Sequence, residues 1–133
     1  YNKMIKSVIT QLEEFIPVLK TKNFKGSNQK FKGNYWRKRH NIDGLIDFRM
    51  ESVAICNLVR GLSKPYVGAH CVYNEKEIKI WKIKLGTNNQ KNIEPGKVIN
   101  IKNNNIEVKT GSSSVLLTEH EFDSIPKINQ YIL

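Results

Sequence analysis

Beyond Pro65 the chain breaks into five short runs rich in Ile, Val and Leu, at 69–73, 77–85, 97–101, 105–110 and 115–121. Runs of this length and composition read as strands, because β-branched and ring side chains pack well on a pleated, half-buried surface. The joints carry turn chemistry. Lys102-Asn103-Asn104-Asn105 and Gly111-Ser112-Ser113-Ser114 are polar and supply residues that accept positive φ at little cost. In the second run Ile78 and Ile80 share one parity while Trp81, Ile83 and Leu85 share the other, so a bulge is expected at Ile80 and Trp81. A chain of 133 residues has room for one hydrophobic core. The pattern therefore predicts a mainly β fold with flanking helices: a small five-stranded barrel, closed or partly open.

Ahead of the strands the period changes. Met4, Val8, Leu12, Phe15, Ile16 and Leu19 recur at helical spacing and predict an amphipathic helix over 2–20, with Pro17 expected to kink it or end it early. A second helix is predicted over 49–62, with Val53, Ile55, Leu58, Val59 and Leu62 as its buried stripe, Asp47 near the N-cap and Glu51 in the first turn. A short terminal helix is predicted from Asp123, with Pro126 in its first turn.

Between the two long helices, residues 21–44 show no sustained period. Eight basic residues from Lys20 to Arg39 meet no acid before Asp43. Of the net charge of +10, residues 1–44 contribute +7, from ten Lys and Arg against Glu13, Glu14 and Asp43. Such a run reads as a linker or extended arm, ordinarily a solvated one. A genome favouring A and T also raises Lys, Asn and Ile throughout, so charge alone assigns no partner. Phe24, Phe31, Tyr35 and Trp36 are more rings than a flexible spacer carries, and a surface that receives them is expected.

Cys56 and Cys71 stand in apolar runs rather than at metal-ligand spacing, so buried free thiols are expected, with no zinc site and a reducing, cytoplasmic compartment. No apolar run approaches the roughly 20 residues that span a bilayer, and no membrane partner is expected. The start at Tyr1 rather than Met points to residues ahead of this sequence.

Several segments resemble one family. Arg37-Lys38-Arg39-His40-Asn41-Ile42-Asp43-Gly44-Leu45-Ile46-Asp47-Phe48 is similar to the linker of the methionyl-tRNA formyltransferase and sugar-nucleotide formyltransferase superfamily. There a basic residue precedes an acid-Gly pair and then Ile-Asp-aromatic. Asn57-Leu58-Val59-Arg60-Gly61-Leu62 resembles the family's helix ending in Ile-Arg-Ala, and Pro65-Tyr66-Val67-Gly68-Ala69 its Pro-aromatic-Pro-Gly-Ala turn, with Gly61 and Val67 as departures. Ile78-Lys79-Ile80-Trp81-Lys82, Glu94-Pro95-Gly96-Lys97-Val98 and Ile106-Glu107-Val108-Lys109-Thr110-Gly111 resemble later barrel segments, in the family's order.

The resemblance implies a C-terminal domain, with 1–22 the last helix of a missing N-terminal Rossmann-like domain, 23–48 a basic linker and 49–133 a five-stranded barrel resembling an OB-fold. The missing domain would bind 10-formyltetrahydrofolate and carry the catalytic Asn, His and Asp. None of these maps onto His40, His70 or His120, which lack the family's His-x-Ser-Leu-Leu-Pro setting. Formyl transfer needs a base for the amine's proton and a donor for the oxyanion, so this segment alone is expected to be inactive; a His40–Asp43 dyad is the weaker alternative.

The implied partners are the N-terminal catalytic domain, a tRNA or nucleotide-sugar acceptor, and a second copy of the chain in a homodimer. The Arg-Lys-Arg linker and the Pro65–His70 turn lean towards sugar-nucleotide enzymes, and the basic arm towards tRNA. If RNA is the acceptor, Lys30, Lys32, Arg37, Lys38 and Arg39 contact phosphate while Tyr35 and Trp36 stack on bases. A reading from another class is a stand-alone OB-type nucleic-acid-binding protein. It requires rings exposed on the barrel, whereas Trp81 and Phe122 are expected in the core.

Overall fold

In a computed structural model, residues 1–21 and 24–133 are described. Lys22 and Asn23, with the domain boundary expected between them, lie outside the described residues. The chain divides into two compact units, Tyr1–Arg37 and Lys38–Leu133.

The first unit holds helix α1, Asn2–Lys20. Pro17 does not end it early. A proline here removes one amide donor, the one that would reach the carbonyl of Glu13, and every residue of α1 is exposed, so water can serve that carbonyl. Thr21 closes the last turn by donating from both N and Oγ1 to the carbonyl of Val18, at 3.2 and 2.7 Å. The apolar stripe from Met4 to Leu19 is uncovered within this unit.

In the second unit, β1 (Ala69–Tyr73), β2 (Lys76–Leu85), β3 (Val98–Lys102), β4 (Asn105–Lys109) and β5 (Ser114–His120) form one antiparallel sheet in the order β1-β2-β5-β4-β3. The hairpin turns use the residue types that tolerate them: Asn103 and Asn104 have φ of 49° and 65° between β3 and β4. The expected bulge is present. The β2–β5 register breaks between Ile80 and Lys82 and again between Lys82 and Ile83, which lets Ile78, Ile80 and Ile83 all serve the core despite their mixed parity.

Helix α2, Ser52–Leu62, packs on this sheet, chiefly over β2. Its Ile55 and Val59 meet Ile80, Ile106, Val108, Val115 and Leu117 in one buried cluster. Each such side chain contributes about 1.5–3 kcal/mol by leaving water, and this burial rather than helix propensity holds α2 in place. Val53 corrects the predicted stripe, being 54% exposed. The N-cap expectation is also corrected: Asp47 is engaged by Arg49, and Glu51 occupies the cap position without a side-chain cap bond. The helix start is instead tied to the β4–β5 turn, where Ser52 N donates to Ser112 Oγ at 3.1 Å and Ser52 Oγ lies 2.7 Å from Thr110 Oγ1.

The five-strand ladder is not closed, since β1 and β3 are its two edges. Residues 129–133 lie across the gap. Asn129 N donates to Val98 O and Val98 N to Gln130 O, both at 2.8 Å, and Ile132 N donates to Gly96 O at 2.9 Å. Leu133 and Val72 then exchange a pair of backbone hydrogen bonds on β1. The terminal helix predicted from Asp123 is therefore absent, and the tail is extended where it meets the edges. Edge amides and carbonyls offer partners that a helix would leave bare, and Ile132, 1% exposed, fills the core beneath them.

Candidate functional site

The basic arm has no helix or strand between Phe24 and His40. Lys30, Lys32, Tyr35, Trp36 and Arg37 fall in the first unit, Lys38 and Arg39 in the second, and all seven are exposed. The rings are uncovered within this chain: Phe31 is 82%, Tyr35 95% and Trp36 81% exposed. The sequence accounts for this. Like charges repel along the segment and favour an extended chain, and no run of apolar residues accompanies the rings to cover them.

The root of the arm is ordered. Asn41–Gly44 form a 3-10 turn whose entry is fixed by His40 N donating to Asp43 Oδ2 at 2.7 Å, with Arg39 Nη1 3.8 Å from Asp43 Oδ1. Asn41 Nδ2 donates to Glu77 Oε2 at 2.8 Å, across 36 residues of sequence. Glu77 Oε1 faces Lys79 Nζ at 2.6 Å, and its Oε2 lies 3.7 Å from Nε2 of the buried His70. These bonds, that of Lys79 first and Asn41 second, hold the Glu77 carboxyl below its usual range. Downstream, Ile46 N donates to His70 O at 2.7 Å, which stitches the turn's exit to β1. A cleft of about 430 Å³ opens beside this turn, lined by Arg39, His40, Asn57, Leu58, Leu62 and Val67 among others.

Sequence reasoning found the arm but missed Asn41, Glu77 and His70 as a group. No local signal links them, because the fold alone brings the start of β2 to the linker.

The remaining chemistry-bearing residues are structurally engaged. His70 is buried with Nδ1 unpartnered, and burial lowers its pKa from the ordinary value. His120 Nε2 lies 2.9 Å from Asn104 O, and its ring meets Phe122 edge-on at 5.1 Å. The Asp43 carboxylate bonds the amide of His40. Cys71 is buried with its thiol pushed up to about 12 by desolvation, and burial also raises half-buried Cys56. Trp81 and Phe122 are half-buried rather than fully in the core. Trp81 is held by Nε1 donating to Glu121 Oε1 at 2.8 Å, with Lys64 Nζ 4.9 Å from its ring centroid. Among the described residues, no helix is long and apolar enough to cross a membrane.

Residues 39–131 match the model of the formyl transferase C-terminal domain family. The chain belongs to this family. Among curated formyltransferase relatives, the methionyl-tRNA formyltransferase of Clostridium novyi is 37% identical over 89 residues, which cover 65% of this chain and 28% of that protein. The methionyl-tRNA formyltransferase of Malacoplasma penetrans is 36% identical, over 61% of this chain and 25% of its own length. The bifunctional polymyxin resistance protein ArnA of Wigglesworthia glossinidia brevipalpis is 36% identical, over 65% of this chain and 13% of its own. This formyltransferase segment thus spans a small part of the relatives it matches. A solved structure of HypX from Aquifex aeolicus shares the fold, with a TM-score of 0.59 and 19% identity over 88% of this chain and 20% of that one.

Proposed function

We propose that this chain is the acceptor-handling C-terminal part of an enzyme that moves a formyl group from 10-formyltetrahydrofolate to a primary amine. On this reading 1–22 is the last helix of an N-terminal catalytic domain. Its uncovered apolar stripe supports that role, since a helix buries such a stripe against a neighbour. The folate belongs to that domain. The residues described here do not fit it: His70 is buried, His120 is held by a backbone carbonyl, and Asp43 is committed to the linker turn. The isolated chain is accordingly inactive in this proposal.

The observation that carries the acceptor reading is the exposure of Tyr35 and Trp36, 95% and 81%, within a cationic segment that has no acid between Glu14 and Asp43. Rings offer stacking faces to unpaired bases, and the flanking cations offer phosphate contacts. Residues 30–39 extended at about 3.3 Å each cover roughly 33 Å, more than a single diphosphate occupies, which favours a tRNA over a nucleotide-linked amino sugar. The stand-alone OB-type reading is not favoured: Trp81, the ring on β2 that it would use, is pinned by Glu121 and Lys64.

The test is titration of the chain with initiator tRNA as salt is raised. Five phosphate contacts imply a loss of affinity on the order of a hundredfold between about 50 and about 200 mM salt. Binding that is undetectable even at low salt removes the tRNA, and saturable binding of a nucleotide-linked amino sugar would then identify the acceptor.

A further inference from the structure

The acceptor reading places the working groups on the arm, yet an arm that swings freely must be ordered each time it binds, at an entropic cost for every residue fixed. The second unit contains a device that reduces this cost at the arm's root. Lys38 and Arg39 lead through His40 into Asn41, whose side-chain amide reaches Glu77 at the start of β2. The exit of the same turn is fastened separately, by Ile46 N to His70 O. The backbone stitch therefore ties the turn's downstream end to the sheet, while the Asn41–Glu77 bond ties to the sheet the upstream end, next to the cations, which the His40–Asp43 bond closes only locally.

We propose that Glu77 is a positioning residue: by accepting the Asn41 amide it fixes the point on the sheet from which the Lys38-Arg39 segment sets out towards the acceptor. Its role in acceptor binding rests on the acceptor reading above; the ordering of the root does not. Glu77 is suited to the task. Its second oxygen is held by Lys79 at 2.6 Å, an ion pair independent of Asn41 that also fixes the carboxylate's orientation. His70, 3.7 Å away on β1, backs the same oxygen that Asn41 uses.

The test uses the full 133-residue chain and four variants. Glu77→Ala removes the acceptor of the bond. Glu77→Gln keeps an acceptor oxygen without the charge. Asn41→Asp sets two carboxylates face to face, and the double variant Asn41→Asp with Glu77→Gln restores the bond with donor and acceptor exchanged. Backbone ¹⁵N relaxation reads the root directly. We expect the order parameters of the His40 and Asn41 amides to fall from about 0.85 to below about 0.6 in Glu77→Ala and Asn41→Asp, and to recover in Glu77→Gln and the double variant. Amides in β1 and β2 should stay rigid throughout. Affinity for initiator tRNA should weaken about tenfold in the two disrupted variants, the factor that ordering one more backbone residue implies, and return in the other two.

A root as rigid in Glu77→Ala as in the unaltered chain overturns the proposal. So does a double variant as loose as Asn41→Asp. Should Glu77→Ala fail to fold, the comparison of Asn41→Asp with the double variant decides alone. Absence of tRNA binding by the unaltered chain overturns the acceptor reading only, and the order parameters still decide whether Glu77 orders the root.

Discussion

Gly111 lies so close to the carbonyl of Arg49 that a methyl group in place of its α-hydrogen would stand 2.0 Å from the oxygen. The approach has a purpose. Gly111 N donates to Phe48 O at 3.0 Å and to Met50 O at 3.1 Å, so the β4–β5 turn clasps the segment that leads into α2. Backbone cannot retreat there without losing those bonds. Gly111→Ala should therefore destabilise the fold by about 2–4 kcal/mol, lowering the thermal midpoint by roughly 10 °C or more. Calorimetry checks this, and an unchanged midpoint would show that the clasp relaxes freely.

The tail makes a paired prediction. Ile132 is 1% exposed, whereas Leu133, adjacent to it, is 74% exposed although its backbone pairs with β1. Ile132→Ala leaves a cavity in the core and should cost about 2–5 kcal/mol. Leu133→Ala removes only an exposed side chain and should stay within about 0.5 kcal/mol of the parent. Urea denaturation of the two variants measures both, and equal midpoints would contradict the tail's role in filling the core.

Asp47 provides a pH signature. The Arg49 side chain bonds it through Nε to Oδ1 at 2.9 Å and through Nη2 to Oδ2 at 2.7 Å. This side-chain bonding, with the Arg49 amide second, lowers the Asp47 pKa from 3.8 to about 2. Because the folded value is depressed, the pair's stabilisation is complete above pH 3.8 and disappears as pH falls through about 2. Both groups are exposed, so solvent screens the pair and the stabilisation is small. A carbon-detected NMR titration of the Asp47 carboxyl should show the low value in the parent and a return towards 3.8 in Arg49→Ala.

Much of this fold was legible in the sequence because its signals are local. The five strands fall within a residue or two of where Ile and Val runs and Asn or Gly turns place them. The parity change at Ile80 and Trp81 marks the β2 bulge. The tail was not legible: Asp123, Pro126 and the residues after them carry a helix-start pattern, and local pattern loses here to the unpaired edges of β1 and β3, which the sequence does not display. The cap of α2 failed in the same way. Asp47 has the right chemistry nearby, but Arg49 is closer to it than the helix start, and Ser112 arrives from sixty residues away.

The candidate site divides along the same line. By itself the sequence determined the strand positions, the family, and an arm in which Tyr35 and Trp36 stand among cations, because composition and residue order set charge density, periodicity and turn chemistry without reference to distant residues. Only the tertiary structure decided that those rings find no cover within this chain's described residues, that residues 129–133 bridge the sheet edges, and that Asn41 meets Glu77. Each of these depends on which distant backbone and side-chain groups are still unpaired once the sheet has formed, and pairing between segments dozens of residues apart leaves no local trace in the chain.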